Sequence, residues 1–160
     1  MKFERIICAV DFSPGASEVF RAAVELARVY SGALLLFHVT ETPPAVPGEV
    51  MIEIVKKAND AMQGLLASAR SSLHGLTFTA EVTSGLASVE IVNRAREWQA
   101  DLIVLGSKGT TSLEEIILGG TAEAVTKEAA CSVLLARAEA RFNAGPDKQV
   151  AAEPASKFRP

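Results

Sequence analysis

The sequence is poor in aromatic residues. One Trp, one Tyr and seven Phe make up 6% of its 160 residues. That leaves no row of rings on which unpaired bases could stack. Positive charge is scarce as well: 16 Lys and Arg against 19 Asp and Glu give a net charge of −3. Without a basic block, a nucleic-acid partner has no electrostatic support. There are two cysteines, Cys8 and Cys131, and two histidines. They lie far apart and lack the spacing of metal ligands, so no metal site is expected. Both cysteines fall in or beside apolar runs, which places them in or near the core as free thiols rather than in a disulfide. No apolar run approaches the roughly 20 residues needed to cross a membrane. The run before Asp11 is about five residues long, too short for the core of a signal peptide. The chain is therefore expected to be soluble and cytoplasmic, with no membrane partner.

What is present is aliphatic. Hydrophobic residues make up 49% of the chain, mostly Ala, Val, Leu and Ile. That mix suits packed layers of helix and sheet. The length fits one domain, and at this size folding buries roughly two-thirds of the unfolded surface.

Strand and helix patterns alternate. Arg5 to Val10 and Ala33 to Val39 are unbroken apolar runs, as in parallel strands covered on both faces. Between them Ser13-Pro14 reads as N-cap and N1 of a first helix. Val19, Ala23, Leu26, Ala27 and Tyr30 form that helix's inner face, and Gly32 is its left-handed stop. The prolines between Thr40 and Gly48 mark a loop. The spacing predicts a second helix over 49–73, burying Ile54, Ala58, Ala61, Met62, Leu65 and Ala69, closed by Gly75. Thr77 to Thr83 alternates, which suggests a sheet-edge strand. A third helix carries Ala87, Ile91, Ala95 and Trp98 inward. Asp101 to Leu105 is the fourth strand and Ser132 to Ala136 the fifth. Strands and helices in this rhythm give βαβ units and a parallel sheet. Residues 138–160 lose the pattern and read as a flexible C-terminal tail beyond a domain spanning 1–137.

The chain is organised around Leu105 to Thr121, LGSKGTTSLEEIILGGT. A Gly-rich turn, Gly106-Ser107-Lys108-Gly109, leaves the fourth strand. Ser112 and Glu115 have capping-box spacing, so a helix is expected from Ser112. Gly119-Gly120 then breaks it, and a second piece runs over 122–129. Strand, glycine loop and helix start form an arrangement that gathers main-chain N–H groups and the positive helix end on an anion. It is neither GxxxxGK[ST] nor GxGxxG.

The spacing Gly106-x2-Gly109-x9-Gly119 resembles the nucleotide-binding signature of the universal stress protein family. Ile6 to Asp11 followed by Ser13, Leu34 to Val39, Gly85, and Ala100 to Gly106 match the family in the same order. The resemblance covers roughly residues 3 to 137. It implies an α/β fold, with a five-stranded parallel sheet of order 3-2-1-4-5 and helices on both faces (Rossmann-like, adenine nucleotide α-hydrolase-like). On that order, a crevice opens beyond the carboxyl ends of strands one and four.

The resemblance also implies ATP, or AMP or ADP, as the bound group, with Mg2+. Gly106 and Gly109 would present bare backbone to phosphate; read alone, they would serve as tight-turn glycines. Leu105 leads into that loop, and Ser107, Lys108, Thr110 and Thr111 offer further donors. Asp11 would hold the adenosine half, or else cap the first helix with Ser13. Ala9, Val10 and Val39 would border the adenine. His38 reads as packing or hydrogen bonding, and His74 as a complement to a helix C-terminus. After Gly119 the family places Ser or Thr, whose hydroxyl faces the terminal phosphates. Here that place is Gly120 and the hydroxyl comes at Thr121. Either the Gly120 N–H serves while Thr121 caps the second helix piece, or the site takes a shorter nucleotide or none.

No nucleophile–base pair stands out, so any ATP hydrolysis would be slow and incidental. The expected function is that of a nucleotide-binding, stress-related regulator. Two alternatives remain: a dimeric interaction module without nucleotide, and an adenine nucleotide α-hydrolase-like enzyme. Against the enzyme, Asp11-Phe12-Ser13-Pro14-Gly15 is not a Ser/Gly-rich loop. The fifth strand, apolar and at an edge, invites pairing with a second copy; family members dimerise there, so a homodimer is expected.

Overall fold

The computed structural model describes residues 2–13, 15–41, 45–107 and 118–137. The expected helix start at Ser112, its capping partner Glu115, Pro14 and the tail after residue 137 lie outside the described residues.

Five parallel strands form one sheet in the order β3-β2-β1-β4-β5. They are β1 (Arg5–Ala9), β2 (Ala33–Thr40), β3 (Phe78–Ser84), β4 (Leu102–Gly106) and β5 (Ser132–Ala136). The helices are α1 (Ala16–Tyr30), α2 (Gly48–Ser68), α3 (Arg70–Leu73), α4 (Ala87–Glu97) and α5 (Gly120–Glu128). The fold class and strand order expected from the sequence are those observed.

The central strands carry the apolar runs Ile6–Ala9, Leu34–Phe37 and Leu102–Leu105 because both of their faces are covered there. Ile6, Cys8, Leu34, Leu36 and Val104 pack on one side with Val19, Ala23 and Ala27 of α1 and Met62 of α2. Ile7, Leu35, Phe37, Ile103 and Leu105 pack on the other with Ile91, Val92 and Ala95 of α4 and Ala122 and Val125 of α5. The register sets Ile7 between Leu35 and Ile103, so the two cores share a fully buried sheet centre. β3 lies at one edge, as its alternation predicts, with every residue at least partly accessible. β5 forms the other edge, with Leu135 exposed.

Three local expectations are corrected. Gly32 is not the left-handed residue after α1; Ser31 is, with φ 52°. Glycine is required at 32 for space, because a Cβ there would lie 2.6 Å from the Phe3 carbonyl oxygen. The long second helix divides at Ala69 into α2 and α3. Of its expected stripe Ala61 is exposed, and Ala58, Met62 and Ala69 are buried. Ser13 does not cap α1, whose N-cap is Gly15 without a side-chain bond. Instead Ser13 donates its N–H and hydroxyl to Asp11 Oδ1, at 3.0 and 2.6 Å.

Both cysteines are free thiols. Burial pushes the Cys8 thiol up to about 12, so it stays protonated and inert.

Candidate functional site

The carboxyl ends of β1, β2 and β4 open into a cleft of about 340 Å³. The strand order reverses direction between β1 and β4, and crevices at such a point bind ligands. α4 and α5 begin at its upper rim, with Ala87, Ile91, Gly120, Thr121 and Ala122 on the wall.

The β4 side is built from main chain. Ser107 donates its N–H to the Ala136 carbonyl at 2.9 Å, and its own carbonyl accepts the Gly119 N–H at 2.8 Å. These bonds fix the start of α5 against the end of β4. The first bond of α5 runs from the Glu123 N–H to the Gly119 carbonyl. The N–H groups of Gly120, Thr121 and Ala122 precede it and have no intrahelical acceptor. No side chain of the N-cap residue Gly119 bonds them either. They stand at the positive end of the helix dipole, on the cleft wall. Thr121 is thus the second residue of α5 rather than its cap.

The β1 and β2 side is built from side chains. Asp11 holds the β1–α1 turn through Ser13. Phe12 follows in the left-handed region, with φ 56°. A non-glycine residue rarely rests there, and such strain gathers at sites. Its ring packs on His38, with centroids 4.5 Å apart. His38 Nδ1 lies 2.7 Å from the Val10 carbonyl oxygen. A carbonyl can only accept, so Nδ1 carries the proton in this bond. Glu41 reaches across to accept the Ala87 N–H at 2.9 Å, anchoring the first turn of α4. The Gly85 N–H bonds the Thr40 carbonyl at 3.2 Å and fixes the preceding turn. Thr40 lines the cleft with 8% of its surface exposed, and its hydroxyl has no hydrogen-bond partner among the described residues.

The cleft is therefore polarised. Its described wall contains Asp11 and Glu41 but no Lys or Arg. Amide donors face it from α5, and carboxylate acceptors from β1 and β2. It suits a ligand with an anion at one end and hydrogen-bond donors at the other.

Among the residues singled out in the sequence, Ala9, Val10, Asp11, Val39, Leu105, Gly106, Gly119, Gly120 and Thr121 meet on this wall. Ser107 lies just behind it, buried, with its main-chain N–H committed to β5. Lys108, Gly109, Thr110 and Thr111 lie outside the described residues. The sequence reading did not place Phe37, His38, Thr40, Glu41, Ala87, Ile91 or Ala122 on the cleft. Thr40 and Glu41 follow Val39 directly, so the rule that ligands sit beyond strand ends could have found them.

A sequence model described as the universal stress protein family matches residues 2–137. The chain belongs to that family. A universal stress protein of Methanocaldococcus jannaschii is 30% identical over 142 residues, spanning 84% of this chain and 82% of that one. A universal stress protein A homologue of Coxiella burnetii is 32% identical over 142 residues, spanning 84% and 96%. Solved universal stress proteins share the fold. UspA from Lactobacillus plantarum superposes with TM-score 0.76 at 24% identity, covering 86% of this chain and 99% of its own. A universal stress protein from Archaeoglobus fulgidus in complex with dAMP does so with TM-score 0.61 at 25% identity, covering 85% and 99%.

Proposed function

We propose that the cleft binds an adenine nucleotide, ATP in the first instance, and that the protein acts as a nucleotide-dependent regulator of the universal stress protein type. The polarity of the cleft carries this reading. Phosphate oxygens would accept from Gly106, Gly120, Thr121 and Ala122 N–H groups, and ribose hydroxyls and the adenine amine would donate toward Asp11 and Glu41. Lys108, Gly109, Thr110 and Thr111 belong to the same loop in the sequence and would extend the phosphate end. Ala9, Val10 and Val39 would border the base. The dAMP-bound relative from Archaeoglobus fulgidus supports the adenine class. Mg2+ would be held largely by phosphate oxygens.

The ionisable side chains on the described wall favour binding over turnover. Asp11 holds Ser13, His38 holds the Val10 carbonyl and Glu41 holds the Ala87 N–H. Each is held against backbone through one atom, an arrangement that orients a ligand rather than activating a water, so hydrolysis would be slow at most and the nucleotide would act by shifting conformation or partner choice. The enzyme alternative fits this wall poorly.

We also propose a homodimer through β5, Ser132–Ala136, whose Leu135 is exposed at the sheet edge. The protein would work in the cytoplasm, without nucleic acid or membrane. No described helix is long and apolar enough to cross a membrane.

Nucleotide released by heat denaturation of the purified protein, identified by mass spectrometry, tests the binding reading. An adenine nucleotide at near one equivalent is expected, or micromolar affinity for added ATP or AMP. No co-purified nucleotide and no measurable affinity would instead favour the dimeric module. A monomer in solution scattering at micromolar concentration would remove the dimer.

A further inference from the structure

We propose that Thr40 reads the base of the bound nucleotide through a hydrogen bond from its Oγ1. This rests on the nucleotide reading above and assigns a residue to it. Two observations point to Thr40. Its hydroxyl is buried and unpartnered in an otherwise well-satisfied structure, the only such side-chain atom among the described residues. It also lines the cleft. A buried hydroxyl without a partner is costly, and a ligand in the cleft would supply one.

Strand order says which part of the ligand that would be. The phosphate donors stand at the end of β4 and the start of α5. β1, which leads into Asp11, is the next strand, and β2, ending in Thr40, the one after. Neighbouring strands are about 4.8 Å apart, so the end of β2 lies roughly 10 Å from that of β4. A nucleotide laid across these ends puts phosphate over β4, ribose over β1 and base over β2. Thr40 is also held in place: its carbonyl accepts the Gly85 N–H, and Glu41 beside it is tied to α4. Its hydroxyl is tucked away from the open cleft, and a turn about χ1 toward a flat, polar-edged group would let it donate to a ring nitrogen or accept from an amine. Threonine also keeps a methyl for the apolar side of the strand end, which valine would reproduce without the hydroxyl.

The test is calorimetric titration of AMP into the wild type, Thr40→Val and Thr40→Ser. Thermal unfolding of each without ligand runs alongside, with competition by ribose 5-phosphate, which lacks the base. Thr40→Val is expected to bind AMP about three- to tenfold more weakly, the loss of one neutral hydrogen bond. Thr40→Ser should keep most of the affinity, and ribose 5-phosphate should be unaffected by either change. Unliganded Thr40→Val should melt at the same temperature as the wild type or higher, since it loses an unsatisfied group. Three results would each overturn the proposal: equal AMP affinity in Thr40→Val, a parallel loss for ribose 5-phosphate, or a lower melting temperature of the unliganded variant. A wild type that binds no nucleotide would instead remove the reading on which this one stands.

Discussion

The Ser107 carbonyl accepts the Gly119 N–H at 2.8 Å, across eleven intervening residues. This bond, with that from the Ser107 N–H to Ala136, fastens the start of α5 to the ends of β4 and β5. The donors of the cleft are thus set by main chain alone, and side-chain changes on α5 can retune the site without moving it.

Gly120 offers the clearest such change. It begins α5, and a Cβ built there meets nothing within 4 Å. Gly120→Ser would place a hydroxyl at the cleft wall, at the position where the motif resemblance implies one. A hydrogen bond to a charged phosphate contributes roughly 1.5–3 kcal/mol, so ATP affinity is expected to rise about ten- to a hundredfold. Titration of ATP into wild type and variant decides it. Unchanged affinity would mean that the phosphates do not reach the start of α5.

Thr121 tests the same end by removal. It lines the cleft as the second residue of α5. Thr121→Val keeps its shape and loses its hydroxyl, so ATP should bind about tenfold or more weakly. Equal affinities for wild type and variant would take Thr121 out of the site. If Gly120→Ser supplies the same contact, the double variant should recover much of the loss.

Gly32 tests the fold rather than the site. A Cβ there would come 2.6 Å from the Phe3 carbonyl oxygen and 3.1 Å from that of Glu4. Both are backbone atoms at the entry to β1 and cannot swing aside. Overpacking of this kind costs about 1–3 kcal/mol. Gly32→Ala should lower the urea midpoint of unfolding with little change in slope, and a midpoint equal to wild type would show that the β1 entry yields.

Much of this architecture was legible because burial on both faces leaves a plain mark. Ile6 to Val10 and Leu34 to Phe37 read as central strands because no residue among them suits water. The alternation of β3 likewise announced an edge. The cleft was legible at Asp11, Gly106 and Gly119, where a strand end or a glycine pair stands out. What stayed hidden depended on contacts between distant segments. Nothing local marks Gly32 as facing the Phe3 carbonyl, and a serine is a poor forecast for the left-handed end of α1. Ala61 matched the helical period of α2, yet that helix packs on the edge side of the sheet over β2 and β3, where only a narrow stripe is covered. Glu41 fell in a stretch read only as a loop, because its acceptor role requires the first turn of α4, 46 residues away.

The edge strand β3 is joined to α4 by a two-pronged ion pair. Arg94 Nε and Nη2 donate to Glu81 Oε2 and Oε1 at 2.7 and 2.6 Å. The hydrogen bonds from Arg94 hold the Glu81 carboxyl below its ordinary value of 4.5, against the opposing effect of partial burial. A carboxyl lowered on folding adds stability above its unfolded pKa, and that stability is lost as pH falls through the folded value. The pair should therefore contribute at pH 7 and fade below about pH 4. Because the Glu81 side chain is 38% exposed, solvent screens the interaction and its contribution should be about 1 kcal/mol or less. Glu81→Gln is expected to be less stable than wild type at pH 7 by that amount, with the gap closing near pH 3. Urea unfolding of both proteins at the two pH values measures this. A gap that stays constant would assign the role of Glu81 to packing rather than to charge.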